Sequence, residues 1–111
     1  MSLLIIQHPV RNFQGWKKAF DSDPAMRAQN GVTRHAIYRP HGEPPYVVVI
    51  LEFSSPEQAQ KFLDLPALRQ AWKSFLGVDF ETLRGGSHLR SRLGAEQFEA
   101  RILDEVERVD Y

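Results

Sequence analysis

The hydrophobic positions of the chain are densest at Tyr46–Phe53, which is apolar at almost every position until Glu52. Its β-branched and aromatic residues are typical of a strand. A strand presents successive side chains to opposite faces, so both apolar faces of this one should be covered. A more mixed run at Val32–Tyr38 precedes it, and His41–Pro45, with one glycine and two prolines, lies between. Because proline and glycine mark turns, the sequence predicts an antiparallel hairpin.

A turn centred near Glu43 sets the register of this hairpin. Three pairs of residues then face each other across the strands: Tyr38 and Val48, Ala36 and Ile50, Arg34 and Glu52. Opposite charges directly across from each other favour this register slightly. Two interpretations of the pair Arg34–Glu52 are open. The favoured one is an ordinary cross-strand ion pair, and the other is a polar site inside a pocket. His35 lies on the other side of its strand from Arg34 and Tyr38.

The chain before the hairpin predicts a strand and then a helix. Leu3–Gln7 is apolar on both faces and ends at His8-Pro9. Asn12 is a residue type that often begins helices, and we expect a helix from there through Phe20. The apolar stripe of this helix has helical spacing and consists of Phe13, Trp16 and Phe20.

Proline marks further helix starts. Asp23-Pro24 restarts the first helical segment, with proline at the first helical position, and Gly31 ends it. Ser55-Pro56-Glu57-Gln58 is a capping box that begins a second helical segment. Pro66 interrupts this second segment, whose apolar stripe then continues to Gly77.

Two later segments are ambiguous from the residues alone. Val78–Thr82 fits a strand or a helical turn capped by Asp79, and a loop follows at Arg84–His88. In Phe98–Val109, apolar residues alternate as in a strand but also recur at helical spacing, and glutamate and alanine favour a helix. Both alternatives stay open for each segment.

The order of elements predicts the architecture. With a strand at the C-terminal end, the chain is an α+β, ferredoxin-like βαββαβ sandwich forming one domain over residues 1–111. Right-handed crossovers place both helical segments on one face of the sheet. The other face, with Val48, Ile50 and residues of Leu3–Ile6, would be apolar and exposed. Because such a patch usually marks an interface, we expect a homodimer that packs sheet on sheet about a two-fold axis.

Composition narrows the functional classes. The chain has 111 residues, with 14 basic and 14 acidic side chains, and this balance argues against a general nucleic-acid binder. The absence of cysteine excludes disulfides and thiolate chemistry and fits a cytoplasmic location. No segment has the features of a signal peptide or a membrane span, so we expect no membrane partner.

Several residue patterns together resemble the dimeric α/β-barrel superfamily, especially its small cyclase-like and antibiotic-biosynthesis-monooxygenase-like proteins. They cover about residues 2–76 and 95–109 and are mostly structural. The matching positions are Asn12, Trp16 and Phe20; Arg27, Gly31 and Val32; Tyr38-Arg39; Val47–Phe53; Ser55-Pro56-Glu57, Ala59 and Phe62; Pro66 and Leu68; and Ile102–Glu107. The resemblance implies that Phe98–Val109 is a strand and that residues 77–94 are an insertion. It also implies a dimer with a pocket between each sheet and its helices, or inside the shared barrel.

The relatives with known roles oxidise or cyclise aromatic polyketides without a cofactor, or degrade haem. The haem-degrading relatives use a helical histidine as axial ligand, and Pro56–Leu76 contains no histidine. No two of the four histidines have a spacing that a metal recognises. We therefore expect neither haem nor another cofactor, and no metal site.

Histidines and amphipathic aromatic residues are the candidate site residues. His35 is a core histidine or a general base that faces a pocket, because imidazole exchanges protons near neutral pH. His8, at a strand end, is a candidate pocket residue. Trp16, Tyr38 and Trp72 combine aromatic rings with polar groups that suit an aromatic ligand.

The leading hypothesis is a homodimer that binds a small apolar, aromatic or polyketide-like molecule. As an enzyme it would carry out cofactor-independent oxygenation or cyclisation, with His35 or Tyr38 handling a proton and Arg34 stabilising a developing oxyanion. The residues expected to contact substrate are Trp16, Trp72, His8 and Glu52. The alternative is a non-catalytic ligand-binding or assembly module whose residues 77–94 contact a partner. The enzyme hypothesis expects Arg34, His35 and Tyr38 to converge on one cavity.

Overall fold

The computed structural model describes residues 1–42, 45–76, 80–91 and 98–111. In chain order, the elements are β1 (Ser2–Pro9), α1 (Phe13–Asp21), α2 (Pro24–Gln29), β2 (Arg34–Tyr38), β3 (Tyr46–Phe53), α3 (Pro56–Leu63), α4 (Pro66–Leu76), β4 (Phe80–Leu83), a 3-10 turn at Arg84–Gly86, β5 (His88–Ser91) and β6 (Glu99–Asp104). The strands form one antiparallel sheet in the order β2-β3-β1-β6-β5-β4.

Four neighbouring strands, β2-β3-β1-β6, form the ferredoxin-like core that the sequence predicts. The helical segments α1–α2 and α3–α4 follow β1 and β3, and α3 packs on β1, β3 and β6. The predicted insertion supplies β4 and β5, which extend the sheet beyond β6. The strand alternative is therefore confirmed for Phe80–Thr82, whereas residues 77–79 and 92–94 of this region lie outside the described residues.

The predicted register of the central hairpin is confirmed. Arg34 pairs with Glu52, Ala36 with Ile50, and Tyr38 with Val48. The ends of the predicted turn are described, but Glu43 and Pro44 lie outside the described residues.

Polar side chains begin three of the helices as predicted, because each accepts a hydrogen bond from an otherwise unpaired backbone N–H of the first turn. The donors are Gly15 for Asn12, Met26 for Asp23 and Gln58 for Ser55. Proline occupies the start of α2 and α3. The segment Pro24–Gln29 ends with Asn30 as its C-cap, and Gly31 follows with φ +91°, a left-handed conformation that glycine adopts readily.

The core lies between the helices and one face of the sheet. Alternate residues of β1 and β3 are buried on this face, and α3 covers them with Ala59, Phe62 and Leu63. The buried apolar side chains are Leu4, Ile6, Val10, Val47, Val49, Leu51, Phe53, Ala59, Phe62, Leu63, Leu89, Phe98 and Ala100. Two-residue alternation in the strands thus decides which side chains face the helices.

The C-terminal strand is confirmed, but it is shorter than Phe98–Val109. It ends at Asp104, which pairs with Ser2 at the start of β1. Only one further backbone hydrogen bond connects these segments, from the N–H of Glu105 to the carbonyl of Met1.

The sheet face that points away from the helices is called the open face below. Its half on β2, β3 and β1 is mainly apolar and includes Ala36, Val48, Ile50, Leu3 and Ile5. Its half on β6, β5 and β4 is mainly charged and includes Glu81, His88, Arg90, Glu99 and Arg101. The predicted two-faced apolar pattern therefore applies to the ferredoxin-like strands and not to the added hairpin. Across the part of the chain that is described, no helix is both long and apolar enough to cross a membrane.

Candidate functional site

A pocket of about 200 Å³ lies between the helices and the sheet. Residues of β1 and β3 form its floor, and all four helices contribute to its walls. Its aromatic walls are Trp16, Phe20, Phe62 and Trp72. Its polar groups are His8, Asp23 and Arg27. An apolar pocket with a few polar groups is the usual form of a small-molecule site. It is called the helix–sheet pocket below.

Neighbouring rings connect the two tryptophans around this pocket. His8 stacks on Phe98 with ring centroids 5.9 Å apart, and Trp72 lies 4.9 Å from Phe98. On the other side, His8 contacts Trp16 edge-on at 6.2 Å, and Trp16 stacks on Phe20 at 5.3 Å. Aromatic contacts of this kind hold the rings in fixed orientations. The aromatic walls of the pocket are therefore flat rings that support one another, and their shape suits a planar molecule.

His8 is the buried polar group on the floor of the pocket, with 4% of its surface exposed. It occupies a helix-facing position of β1, one residue before the strand ends at Pro9. Its Nδ1 lies 2.9 Å from the carbonyl oxygen of Pro9. Because a carbonyl only accepts hydrogen bonds, Nδ1 carries the hydrogen, and in the neutral ring Nε2 is the basic nitrogen.

Arg27 is a pocket residue that was not among the predicted site residues, although it matches the superfamily pattern. It is 8% exposed, its Nη1 donates to the Phe20 carbonyl at 2.8 Å, and its guanidinium carbon lies 3.7 Å from the centre of the Phe20 ring. Burial lowers the pKa of Arg27, and the charges of Asp21 and Asp23 act in the opposite direction. The sequence held one signal for this role. Arg27 is a charged residue seven positions after Phe20, where an apolar residue would continue the stripe of Phe13, Trp16 and Phe20.

The structure brings some of the predicted site residues together. His8, Trp16 and Trp72 all line the helix–sheet pocket. His35 is on the same side of the sheet, where it is exposed and contacts Phe20 edge-on at 5.2 Å, so the interpretation as a core histidine is wrong. These four residues therefore lie along one set of connected rings.

The other predicted site residues lie on the open face. Arg34 and Glu52 form an ion pair there with Nε and Oε2 3.4 Å apart, and the Arg34 side chain is 73% exposed. Tyr38 is 57% exposed on the same face. Within one chain, the sheet separates Arg34 and Tyr38 from the side that carries His35, so the three residues do not converge on one cavity as the enzyme hypothesis expects. The catalytic roles of the three residues stay predictions, and the favoured interpretation of Arg34–Glu52 as a cross-strand pair agrees with its geometry.

A second cavity, of about 250 Å³, lies where the two halves of the open face meet, with Gln7 of β1 and residues of β3, β5 and β6 in its lining. Tyr46, Arg90 and Glu99 line it. Burial raises the pKa of Tyr46, and the negative charge of Glu99 raises it further. Both effects disfavour the phenolate, so this tyrosine is a hydrogen-bond donor over a wide pH range.

Within the described ranges, no three histidine, aspartate or glutamate side chains are grouped as a metal site requires. The groups that line the helix–sheet pocket are its aromatic and aliphatic walls, the imidazole of His8, the carboxylate of Asp23 and the guanidinium of Arg27.

No protein-family model and no curated protein matches the chain. Among solved structures, the chain is similar to a putative antibiotic biosynthesis monooxygenase from Deinococcus radiodurans. The TM-score is 0.65 and the sequence identity is 11%, over 100% of this chain and 98% of that protein. At this identity the likeness concerns the fold. It confirms, at the level of the fold, the resemblance to antibiotic-biosynthesis-monooxygenase-like proteins that the sequence predicts.

Proposed function

We propose that the helix–sheet pocket binds a small, largely apolar, aromatic molecule. The observation that carries this proposal is a pocket of about 200 Å³ with Trp16, Phe20 and Trp72 in its walls. An apolar cavity of about 150 Å³ is large enough for benzene, so this pocket has room for a ligand of one or two aromatic rings. Flat rings fixed by mutual contacts favour stacking with such a ligand.

Isothermal titration calorimetry with naphthalene-2-methanol, a neutral two-ring probe, tests this proposal. We expect one binding site per chain and about tenfold weaker binding by Trp72→Leu, because one stacking wall is lost. Phe13→Leu is the matched control, because Phe13 contacts Trp16 at 5.8 Å but does not line the pocket. Absence of binding by the wild-type protein, or equal weakening by both variants, would contradict the proposal.

A second candidate is cofactor-independent oxygenation of the bound molecule. The fold likeness and the position of His8 in the pocket favour it. In such a reaction, a base removes a proton from an activated methylene group of the ligand. Molecular oxygen then supplies one atom to the carbonyl that forms and the other atom to water. His8 can take a proton at Nε2, and His35 is the second imidazole on this side of the sheet.

Tyr38, Arg34 and Glu52 lie on the open face and do not line the helix–sheet pocket. They would take part in catalysis only if the ligand lay inside the barrel that two sheets would form. There Tyr38 would handle a proton and Arg34 would stabilise an oxyanion. The cyclisation expected from the resemblance needs the same proton transfer and no oxygen.

Oxygen uptake separates the enzyme from the binding module. We expect uptake with two-ring aromatic compounds that carry an activated methylene group to exceed the protein-free rate and to be lost in His8→Leu. His41→Leu is the control, because His41 is an exposed turn residue. Binding of naphthalene-2-methanol without any oxygen uptake or cyclised product would instead favour a non-catalytic ligand-binding or assembly module.

We also propose that two chains pack sheet on sheet through the apolar half of the open face. Val48, Ile50, Leu3 and Ile5 occupy its centre and are only partly covered within one chain. Burying the part of these side chains that remains exposed is favourable, by less than the about 1.5–3 kcal/mol of a fully exposed side chain, and a two-fold axis brings the same patch of each chain together. Arg34 and Tyr38 would then lie within or beside the interface.

Size-exclusion chromatography with light scattering tests the dimer. We expect the mass of two chains for the wild type and of one chain for Ile50→Glu, because the variant places a charge at the centre of the interface. Gln70→Glu adds the same charge on the exposed side of α4 and should remain dimeric. A wild-type monomer would contradict the sheet-on-sheet arrangement. The cytoplasmic location stays a prediction from the cysteine-free sequence.

A further inference from the structure

Arg27 is a buried positive charge in the wall of the helix–sheet pocket. It is 8% exposed, and among the described residues its side chain makes one hydrogen bond, from Nη1 to the carbonyl of Phe20. A guanidinium has five N–H donors. No carboxylate in the described part of the chain forms an ion pair with it. A buried charge is costly unless it is paired, so this one has unused capacity for an acidic group.

The nearest acidic residues have other partners. Asp23 is exposed, lines the same pocket and accepts a hydrogen bond from the backbone N–H of Met26. Asp21 is exposed and pairs with Lys17. Both attract the guanidinium from a distance. Their negative charges offset part of the positive charge of the guanidinium, but their oxygens do not accept hydrogen bonds from its N–H groups.

The stacking of Arg27 on Phe20 orients its remaining donors. The N–H groups of a guanidinium lie in its own plane, and the guanidinium carbon lies over the Phe20 ring, 3.7 Å from the ring centre. The edge of the group therefore stays available. A carboxylate fits two parallel N–H donors at such an edge, while the rest of an aromatic ligand can lie against the pocket walls.

We propose that the ligand of the helix–sheet pocket is an aromatic acid, and that Arg27 binds its carboxylate or an equally acidic deprotonated oxygen. This inference rests on the proposed function and adds the chemical class of the ligand. The aromatic walls contribute affinity for any flat ligand of suitable size, and Arg27 contributes the preference for negative charge. Arg27 is thereby a specificity-determining residue.

Calorimetric titration with two matched probes tests the inference. The probes are 2-naphthoate and naphthalene-2-methanol, which have the same ring system and differ in charge at neutral pH. We expect the wild type to bind 2-naphthoate about tenfold more tightly, or better, because a charge-assisted pair forms in a partly dry pocket. Arg27→Met should keep the affinity for the alcohol and lose the preference for the acid. Arg27→Lys should restore part of it.

Arg39→Met is the matched control. Arg39 also stacks on an aromatic ring, with its guanidinium carbon 4.5 Å from the centre of the Phe13 ring, but it does not line the pocket. This variant should keep the full preference for the acid. A preference that survives in Arg27→Met would overturn the assignment to Arg27.

Measurements on the wild-type protein alone also test the inference. They are needed because Arg27 donates a hydrogen bond to the Phe20 carbonyl, so replacing Arg27 could impair folding. Binding of the alcohol with no preference for the acid overturns the inference and leaves the proposed function standing. Binding of neither probe overturns both. A tighter complex with the acid, weakened by salt, supports the inference.

Discussion

Arg34 and Glu52 face each other across the β2–β3 hairpin on the face of the sheet opposite the helix–sheet pocket, with Nε and Oε2 3.4 Å apart. Glu52 is also 3.7 Å from Arg108 of the C-terminal tail, and its side chain is only 13% exposed. The carboxylate is thus half-enclosed between two guanidinium groups. This pair belongs to the surface that would face a second chain, and it lies away from the pocket.

The first prediction concerns the strength of this pair. Arg34→Met should lower the free energy of unfolding by less than about 1 kcal/mol, because exposed ion pairs contribute little. Glu52→Gln should lower it more, because two guanidinium groups then lose a half-buried partner. Urea unfolding measures both. Arg34→Met should also leave the binding of naphthalene-2-methanol unchanged, and weaker binding would indicate that Arg34 acts on the pocket ligand.

The second prediction concerns Phe98, which supports both His8 and Trp72. Phe98 is 2% exposed and lies 5.0 Å from Phe80 as well. Phe98→Ala should lower the free energy of unfolding by about 3–5 kcal/mol, because a large cavity forms in the core. Phe13→Ala, at a half-buried ring of α1, should have a smaller effect. Chemical unfolding of the two variants gives the comparison, and equal losses would contradict a central role for Phe98.

The third prediction separates backbone conformation from steric contact at a glycine. Gly31 has φ +91°, and a Cβ atom there would collide with the side-chain amide oxygen of Gln58. Gly42 has φ +73°, but a Cβ atom there meets nothing within 4 Å. Each Gly→Ala change should cost about 1–2 kcal/mol for the left-handed conformation.

Gly31→Ala should therefore lower the melting temperature only slightly more than Gly42→Ala, because the Gln58 amide is the end of a flexible side chain and can move away, and the difference should vanish when Gln58→Ala is added. Differential scanning calorimetry of the single and combined variants checks this. A difference that persists without the Gln58 side chain would show that the collision is not its cause.

The fourth prediction concerns pH. Burial and the charge of Glu99 raise the pKa of Tyr46 above its ordinary value of 10.0, so the folded state holds this proton more tightly than the unfolded chain does. The resulting stability is fully present below about pH 10 and is lost as the pH rises through the folded-state pKa. Tyr46→Phe should lose less stability than the wild type on going from pH 9 to pH 11.

Unfolding by urea at several alkaline pH values measures this difference between the two proteins. Glu99→Gln should bring the pKa of Tyr46 closer to its ordinary value, which ultraviolet titration of the phenol can follow. Parallel pH profiles for the wild type and Tyr46→Phe would contradict the assignment.

Local chemistry allowed several features to be predicted from the sequence. Asn12 and Ser55 begin helices because a short polar side chain reaches a backbone N–H three residues away, and no distant part of the chain is needed for that. The hairpin register followed from the turn and from strand alternation. The ferredoxin-like order followed from the sequence of these local elements and from the handedness of crossovers.

The ends of the last strands could not be predicted in the same way. Phe98–Val109 has the composition of both a strand and a helix, and its strand ends at Asp104, which pairs with Ser2, the first residue of β1. The added hairpin β4–β5 likewise depends on the free edge of β6 for its place in the sheet. A strand exists only as long as a neighbour supplies hydrogen bonds, and that neighbour is remote in sequence.

The sequence by itself thus determined the elements up to α4, the hairpin register, the fold class and the residue types suited to an aromatic ligand. Tertiary structure decided which of these residues meet. It brought His8 of β1 together with Trp72 of α4 and added Arg27, while the sheet separated Arg34 and Tyr38 from the pocket. The physical reason is that caps and turns depend on neighbouring residues, whereas a pocket forms where distant side chains pack and exclude water.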